Sequence, residues 1–493
     1  MNRRDSLKTA VDARKGDLVK SAQRVGCLSF RSWRLLLSVL SVSMLGTAIQ
    51  SGAAVDRRDR PNIIFIMADD LGYADLGCYG QHAIQTPHLD ALAAEGLRFT
   101  SCYSGSPVCA PARSVLMTGR HTGHTTVRGN FGKGGVKGLG GGDGRVPLYD
   151  ADVTVAEVLK TAGYVTGMTG KWGLGEPNTT GLPNDQGFDE WFGYLNQRRA
   201  HSYYVDTLWL NRARYPLPGN TEGRRQQYTH DLFTAFALDF ITRHAREPFF
   251  LYVPYTIPHG AYEVPDLGPY RDKPWTKKER TYAAMVSRMD GDIGRIRALL
   301  GELDLQERTL LFFCSDNGAA NNWPGVFDSN GPLRGRKRDV YEGGIRVPMI
   351  VTGPGVPVGQ ISDAPWSFAD LLPTLADLVN VDTPEGVDGV SVLPLLQGEA
   401  QDLSQRLLYW EFYEGGFKQA ARRGPWKAVR LAHDRPLELY DLRVDIGEQE
   451  NLAQRQPQLV AEFEASMEAA RVPSPHWPAP VDRVTPPEPT VRR

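Results

Sequence analysis

Two short apolar runs in this 493-residue chain end in clusters of hard oxygen ligands. Residues 61–67 (PNIIFIM) are followed by Ala68-Asp69-Asp70, and residues 309–314 (TLLFFC) by Ser315-Asp316-Asn317-Gly318. Adjacent carboxylates at a buried strand end raise each other's pKa, so both stay ionised only if something positive neutralises them. A metal ion would do so. Three aspartates and an asparagine make an all-oxygen set, which suits Ca²⁺ or Mg²⁺ better than Zn²⁺. A single Asp-Asp after a strand is more often a turn or a helix cap, and the second acidic strand end is what favours a metal.

Both runs are short and rich in β-branched or aromatic residues, the pattern of strands buried on both faces. Helix-like stretches at 88–96 and 153–162, apolar runs at 165–169 and 249–253 and an amphipathic segment at 276–300 alternate with them. Strands alternating with helices predict an α/β fold with a large, mostly parallel sheet. Ligands bind such sheets outside the carboxyl ends of the strands, where both acidic pairs would lie. From about residue 404 the pattern changes to short strands (LLYWEFY, WKAVRLA, LELYDL) and one helix near 456–470, which predicts a small C-terminal α+β subdomain over 404–472. A tail at 473–493 holds seven prolines. Residues 129–144 contain nine glycines but no GK[ST], so they read as a mobile surface loop rather than a phosphate loop.

With 41% hydrophobic, 10% aromatic and 23% charged residues the chain is neither disordered nor a multi-span membrane protein. Its formal net charge of -1 argues against a broad nucleic-acid-binding surface. Residues 1–34 carry nine Lys/Arg against three Asp/Glu, and the uncharged run LLLSVLSVSMLGTAI follows at 35–49. That segment is too short for a bilayer and precedes small residues, so 1–53 reads as a signal peptide, with export to the periplasm or medium and no stable membrane insertion. Cys78, Cys102, Cys109 and Cys314 lie beyond it and form no disulfide framework.

Cys109-Ala110-Pro111-Ala112-Arg113 carries the strongest signal, through its company. Gly170-Lys171-Trp172-Gly173-Leu174-Gly175, Pro258-His259, the Asp316-Asn317 strand end and residues 333–348 (LRGRKRDVYEGGIRVP) follow it. With residues 61–80 before it, this order resembles the sulfatase family of the alkaline phosphatase superfamily over about residues 60–452. The resemblance implies an alkaline-phosphatase-like α/β/α sandwich, with the catalytic domain over 60–403. It also implies that a formylglycine-generating enzyme oxidises Cys109 to formylglycine. Asp69, Asp70, Asp316 and Asn317 would hold Ca²⁺, with Mg²⁺ the lesser alternative, and modified Cys109 would be a further ligand. Arg113 would orient residue 109, Lys171 and Lys337 would contact sulfate oxygens, and His259 would protonate the leaving alcohol.

That set suits the chemistry, because a sulfate monoester is an anion whose sulfur is attacked readily only when its oxygens are neutralised. The implied reaction is double displacement: one hydroxyl of the hydrated aldehyde attacks sulfur, and loss of the other hydroxyl's proton regenerates the aldehyde and frees sulfate. One departure stands out. The family mostly reads G-K-W-H-L-G, and this chain has Gly173 at the histidine. His201, in the aromatic segment 197–204, is the expected replacement or a substrate-binding residue. Trp172 and Arg334 are further substrate-binding candidates, and Trp191, Trp323, Arg198 and Arg199 could stack on a sugar or bind additional anions. The expected substrate is a sulfated carbohydrate, a galactose or N-acetylgalactosamine sulfate. The alternatives are a phosphodiesterase or phosphonate monoester hydrolase of the same superfamily and an inactive sulfated-glycan-binding protein.

Overall fold

The computed structural model describes residues 60–139, 144–480 and 482, so residues 1–53, read above as a signal peptide, and most of the tail lie outside the described residues. Alternating burial explains the centre of the fold. In strand β1 (Asn62–Ala68), Ile63, Phe65 and Met67 enter one apolar cluster while Ile64, Ile66 and Ala68 enter another. A strand with apolar side chains on both faces must be covered on both, which makes three layers.

The remaining strands of the large sheet follow in order: β2 (Leu97–Tyr103), β3 (Val165–Lys171), β4 (Glu190–Tyr194), β5 (Thr207–Leu210), β6 (Ala213–Pro216) and β7 (Phe249–Pro254). They continue with β8 (Thr309–Ser315), β9 (Arg346–Thr352), β10 (Gln360–Ser362) and β11 (Trp366–Ser367). Their spatial order is β10-β2-β9-β8-β1-β7-β3-β4-β5-β6, with β11 paired to β2. The central neighbours β8, β1, β7, β3 and β4 are all parallel, and antiparallel pairs flank them. One face is covered by helices Cys109–Thr118, Val155–Thr161 and Leu371–Leu378, the other by Pro87–Ala94, Thr229–Arg243 and Lys277–Glu302. Thr154-x-x-Glu157 and Thr276-x-x-Glu279 start two of these helices with reciprocal capping boxes, which satisfy backbone donors that a helix start leaves open. Among the described residues no helix is long and apolar enough to cross a membrane.

The C-terminal subdomain is a four-stranded antiparallel sheet, β12 (Leu407–Phe412), β13 (Lys418–Arg423), β14 (Trp426–Arg430) and β15 (Glu438–Asp441), with helix Pro457–Ala469. β13 (KQAARR) is the strand that the sequence pattern does not reveal, because its buried residues are two alanines on opposite faces and a glutamine. Leu408, Trp410 and Phe412 share one apolar cluster with Tyr103, Val108 and Ile345 of the larger body, so the two sheets have a common core.

Candidate active site

β1 and β8 pair in parallel with Ala68 opposite Ser315, so the two acidic strand ends finish level. The Asp316 N–H donates to the Ala68 carbonyl at 3.0 Å, and the Asp70 N–H donates to Asp316 Oδ1 at 3.1 Å. Asp70 sits at φ 68°, a left-handed turn that L-residues seldom adopt and that peels the chain away from the sheet. Cys109 is the first residue of a wholly buried ten-residue helix, and Arg113 follows one turn later. The i, i+4 spacing puts both on one helix face. Arg113 donates from Nη1 to the Lys171 carbonyl at 2.6 Å and from Nη2 to Asp316 Oδ2 at 2.8 Å. Lys171, at the end of β3, donates to Asp69 Oδ2 at 2.6 Å. Lys337 comes from the loop before β9 and donates to Asp70 Oδ2 at 2.8 Å, with Cys109 Sγ 3.4 Å away. Three buried carboxylates thus meet three buried or half-buried cations.

Burial opposes ionisation of both members of the acidic pair, yet Lys171 and His259 hold Asp69 well below the usual carboxylate range, and Lys337 and His259 hold Asp70 below it. Asp316 differs: burial and the Asp69 charge push it up to about 6 despite Arg113. Burial pushes the Cys109 thiol up to about 12, so the unmodified side chain is neither a thiolate ligand nor a thiolate nucleophile near neutral pH. His259 lies behind a cis Ile257–Pro258 bond and pairs Nδ1 with the Gly260 carbonyl at 2.6 Å. A carbonyl accepts only, so Nδ1 carries the proton and Nε2 accepts from Lys337 Nζ at 3.2 Å. Burial keeps this imidazole below its ordinary pKa. The His201 ring stacks on it at 4.1 Å, and burial followed by His259 pushes His201 down to about 3.

Asn317 tests whether a cation fits. Its Nδ2 donates to Asp70 Oδ1 at 2.8 Å and to the Gly318 carbonyl at 2.9 Å, which leaves Oδ1 buried without a donor among the described residues. An orphaned buried acceptor costs about 1–3 kcal/mol, and a hard cation satisfies it. Ligand-capable atoms of Asp69, Asp70, Cys109 and His259 also lie within 4.8 Å of one another. That softer set fits less well, since the thiol stays protonated and Nε2 already accepts from Lys337. The residues present fit an oxygen-seeking divalent ion held by Asp69, Asp70, Asp316 and Asn317.

Asp70, Cys109, His201, His259 and Lys337 line a cavity of about 600 Å³. Asp69, Arg113, Lys171, Asp316 and Asn317 are buried behind its wall. Two expected substrate-binding residues lie elsewhere. Trp172 is wholly buried in the core and donates from Nε1 to the Gly181 carbonyl at 2.7 Å. Arg334 stacks on Tyr341 at 3.9 Å and donates to Tyr440 and the Glu448 carbonyl, which ties its loop to the C-terminal sheet. Trp191 is core and Trp323 packs among Tyr262, Tyr282 and Phe327. Arg199 pairs with Asp206, whereas Arg198 lines the cavity.

Sequence reasoning misses part of the wall. Phe131, near the start of the glycine-rich stretch, and Arg145, just after it, line the cavity. Gln197, the first residue of the flagged 197–204 segment, and Tyr262, three residues after His259, contribute as well. At Gly173, φ is 80°, and a Cβ would come 2.3 Å from Gln197 Oε1. The Gln197 amide therefore fills the space that a side chain at residue 173 would need.

The profile named Sulfatase matches residues 61–381, about two thirds of the chain, over the same strands and helix that assemble this cluster. The chain belongs to the sulfatase family. This sulfatase also matches the profile of the N-sulphoglucosamine sulphohydrolase C-terminal region over residues 335–472. It is 36% identical over 417 residues to N-acetylgalactosamine-6-sulfatase of Canis lupus familiaris, covering 80% of this chain and 75% of the relative. With arylsulfatase A of Homo sapiens the identity is 33% over 464 residues, covering 82% and 85%. The crystal structure of Ps i-CgsB in complex with k-i-k-neocarrahexaose superposes with a TM-score of 0.72 at 29% identity, covering 83% of this chain and 92% of that one. The phosphonate monoester hydrolase of Agrobacterium radiobacter, at 20% identity and TM-score 0.61, shares the fold. The sulfatase is accordingly a sulfuric ester hydrolase of alkaline-phosphatase-like fold.

Proposed function

We propose that this sulfatase removes sulfate from a sulfated galactose or N-acetylgalactosamine unit, using formylglycine made from Cys109 and a bound Ca²⁺. The observation that carries the reading is the setting of Cys109. It is the first residue of a buried helix, opens on the cavity, and has Lys337 Nζ at 3.4 Å and Asp69 Oδ1 at 3.5 Å. A hydrated aldehyde there would supply two hydroxyls on one carbon, one to attack sulfur and one to release the product, which a serine or cysteine lacks. Ca²⁺ on Asp69, Asp70, Asp316 and Asn317 would supply charge that neutralises the ester oxygens.

The chain's own groups have distinct tasks in this reading. Arg113 fixes Asp316 and the end of β3, so it positions residue 109 from beneath. Lys337 is the cation at the cavity wall and meets the sulfate oxygens. Lys171 lies deeper, and its tie to Asp69 holds that carboxylate ionised. His259 offers Nε2 toward the cavity and must take up a proton there before it can protonate the leaving alcohol. The carbohydrate preference is supported by the 36% identity to N-acetylgalactosamine-6-sulfatase and by the likeness to a structure holding a neocarrahexaose. Export follows from the leader-like segment at 1–53, which would also bring the chain to a maturation enzyme on its way out.

The test is the mass of the tryptic peptide spanning residues 99–113, from protein made in its native source. Formylglycine lowers that mass by about 18 Da relative to cysteine. An intact cysteine in active native protein would sink the proposal.

A further inference from the structure

Charge is distributed unevenly over this molecule. The whole chain is near neutral, at -1, yet the cavity wall carries Arg145, Arg198, Arg336, Lys337 and Arg338 against the single carboxylate of Asp70. Lys337 is taken up by Asp70, and Arg338 reaches Glu414 at 3.3 Å. Arg145 is the unusual one. It is only 9% exposed, and among the described residues no carboxylate lies within ion-pairing distance of it. The nearby acids are engaged elsewhere: Glu414 accepts from the Asn130 backbone and side chain, and Glu176 accepts from the Leu139 N–H and Asn196. Arg145 Nη1 donates to the neutral Asn130 carbonyl at 2.7 Å, while Nε and Nη2 have no partner among the described residues.

A nearly buried, unpaired guanidinium is costly to fold, and proteins normally pair it. Here Glu176 and Glu414 offset part of the cost of burial from a distance, but neither caps the guanidinium, and the surroundings hold it in place. The guanidinium lies over the Phe131 ring at 4.4 Å, and the backbone of Arg145 pairs with Val136 in both directions, at 2.7 and 3.0 Å. Trp477, from the C-terminal tail, is buried against this loop and donates from Nε1 to the Phe131 carbonyl at 3.1 Å. A Cβ at Gly129 or Gly132 would come within 3 Å of Trp477, which accounts for glycine at both. Tail, loop and aromatic ring thus fix a cation that faces the same cavity as Cys109 and His259.

We infer that Arg145 is the anchor of a second anion subsite, so that the substrate carries another sulfate or a carboxylate besides the ester that is cleaved. The inference rests on the sulfatase reading above and extends it to a doubly anionic carbohydrate. A guanidinium with two N–H groups free on one edge matches the paired oxygens of either group. Arg336, exposed and without a side-chain partner among the described residues, adds positive potential at the mouth, which speeds capture of such a substrate. Sulfate and carboxylate present the same fork of oxygens, and the choice between them is made by the test.

The experiment compares kcat/KM for four compounds: 4-methylumbelliferyl sulfate, N-acetylgalactosamine 6-sulfate, N-acetylgalactosamine 4,6-disulfate and the 6-sulfated chondroitin disaccharide, which carries a uronate. The expected result is that the mature enzyme prefers one of the last two over the singly charged compounds. In Arg145→Gln that preference falls by about 10- to 100-fold, chiefly through KM, and Arg145→Lys keeps part of it. Whichever compound loses its advantage identifies the second anion. No preference for either doubly charged compound, or an equal loss on all four in Arg145→Gln, overturns the inference. Sulfate release from none of the four is instead a failure of the proposed function. Calorimetric binding of the disulfated sugar then decides the subsite alone: weaker binding in Arg145→Gln upholds it and equal binding overturns it.

Discussion

The acidic strand ends and the group Glu342, Lys427 and Glu448 between the two sheets are both charges withdrawn from water. In the second group Lys427 Nζ is 2.8 Å from Glu342 and 2.9 Å from Glu448, all three wholly buried. Tyr103 and Arg346 donate to Glu342 Oε2 at 2.6 and 3.0 Å, and the Glu342 N–H donates to Glu448 at 2.8 Å. The strand-end group is also paired charge for charge, and each group keeps one buried oxygen without a hydrogen bond, but Glu448 Oε1 faces Lys427 at 2.9 Å whereas Asn317 Oδ1 faces no cation, beside the left-handed Asp70 and an open wall at Lys337 and Cys109. Equal charge pairing therefore serves two ends. The sealed cluster ties the two sheets together, and the one at the strand ends stays open to the cavity.

Removing a lysine from each cluster separates the two roles. Lys171→Met should lower kcat by at least about 10³-fold, since the charged wall behind residue 109 collapses. Lys427→Met should keep most of the turnover of folded enzyme but lose about 3–5 kcal/mol of stability by chemical denaturation, because two glutamates are left buried without their cation. Added Ca²⁺ should recover much of the stability lost in Lys171→Met and none in Lys427→Met, a contrast that calorimetry reads directly. Equal recovery in both would show that the ion does not bind at the strand ends.

Smaller effects sharpen the contrast. Gly173→Ala should cost about 1–2 kcal/mol for the left-handed backbone, plus the collision with Gln197. Adding Gln197→Ala should remove the collision and leave the backbone cost, and a fully additive pair in denaturant titrations would refute the contact. The sealed cluster also makes a pH prediction. Burial raises Glu448 from 4.5 to about 7, whereas Lys427 and Arg346 outweigh burial and hold Glu342 at about 2. A raised carboxyl favours the folded state while protonated, so this contribution is present below pH 4.5 and is lost as pH rises through 7. Glu342 acts oppositely, and its share is lost only as pH falls toward 2. Between pH 5 and 8 the melting temperature should thus fall by a few degrees, and Glu448→Gln should flatten that slope.

What was legible from sequence is local. An apolar run that ends in two aspartates is a strand end wherever it occurs, and C-x-P-x-R is one turn of helix. The acidic pairs could be named from the strand pattern, whereas Cys109, Arg113, Lys171, His259, Lys337 and the three-layer fold came from the family resemblance that the order of the motifs carries, and the second sheet was legible apart from β13. The aromatic candidates were different. Trp172 follows Lys171 just beyond the end of β3 and Trp191 lies in β4, and both side chains enter the core. Composition cannot tell which face is the pocket.

Tertiary structure alone decided the rest, because the remaining relations join residues far apart in the chain. Gln197 occupies the room left by Gly173, and Trp477 supports a glycine-rich loop more than three hundred residues earlier. Arg334 belongs to the subdomain junction, while Arg145, unremarkable in sequence, is the cation left facing the cavity without a carboxylate. The sequence by itself marked two acidic strand ends and, through the family order of its motifs, the candidate groups around them, since those depend on residue type and order along the chain. Only packing decided which cations stayed unpaired, because pairing depends on what every other element brings within about 4 Å.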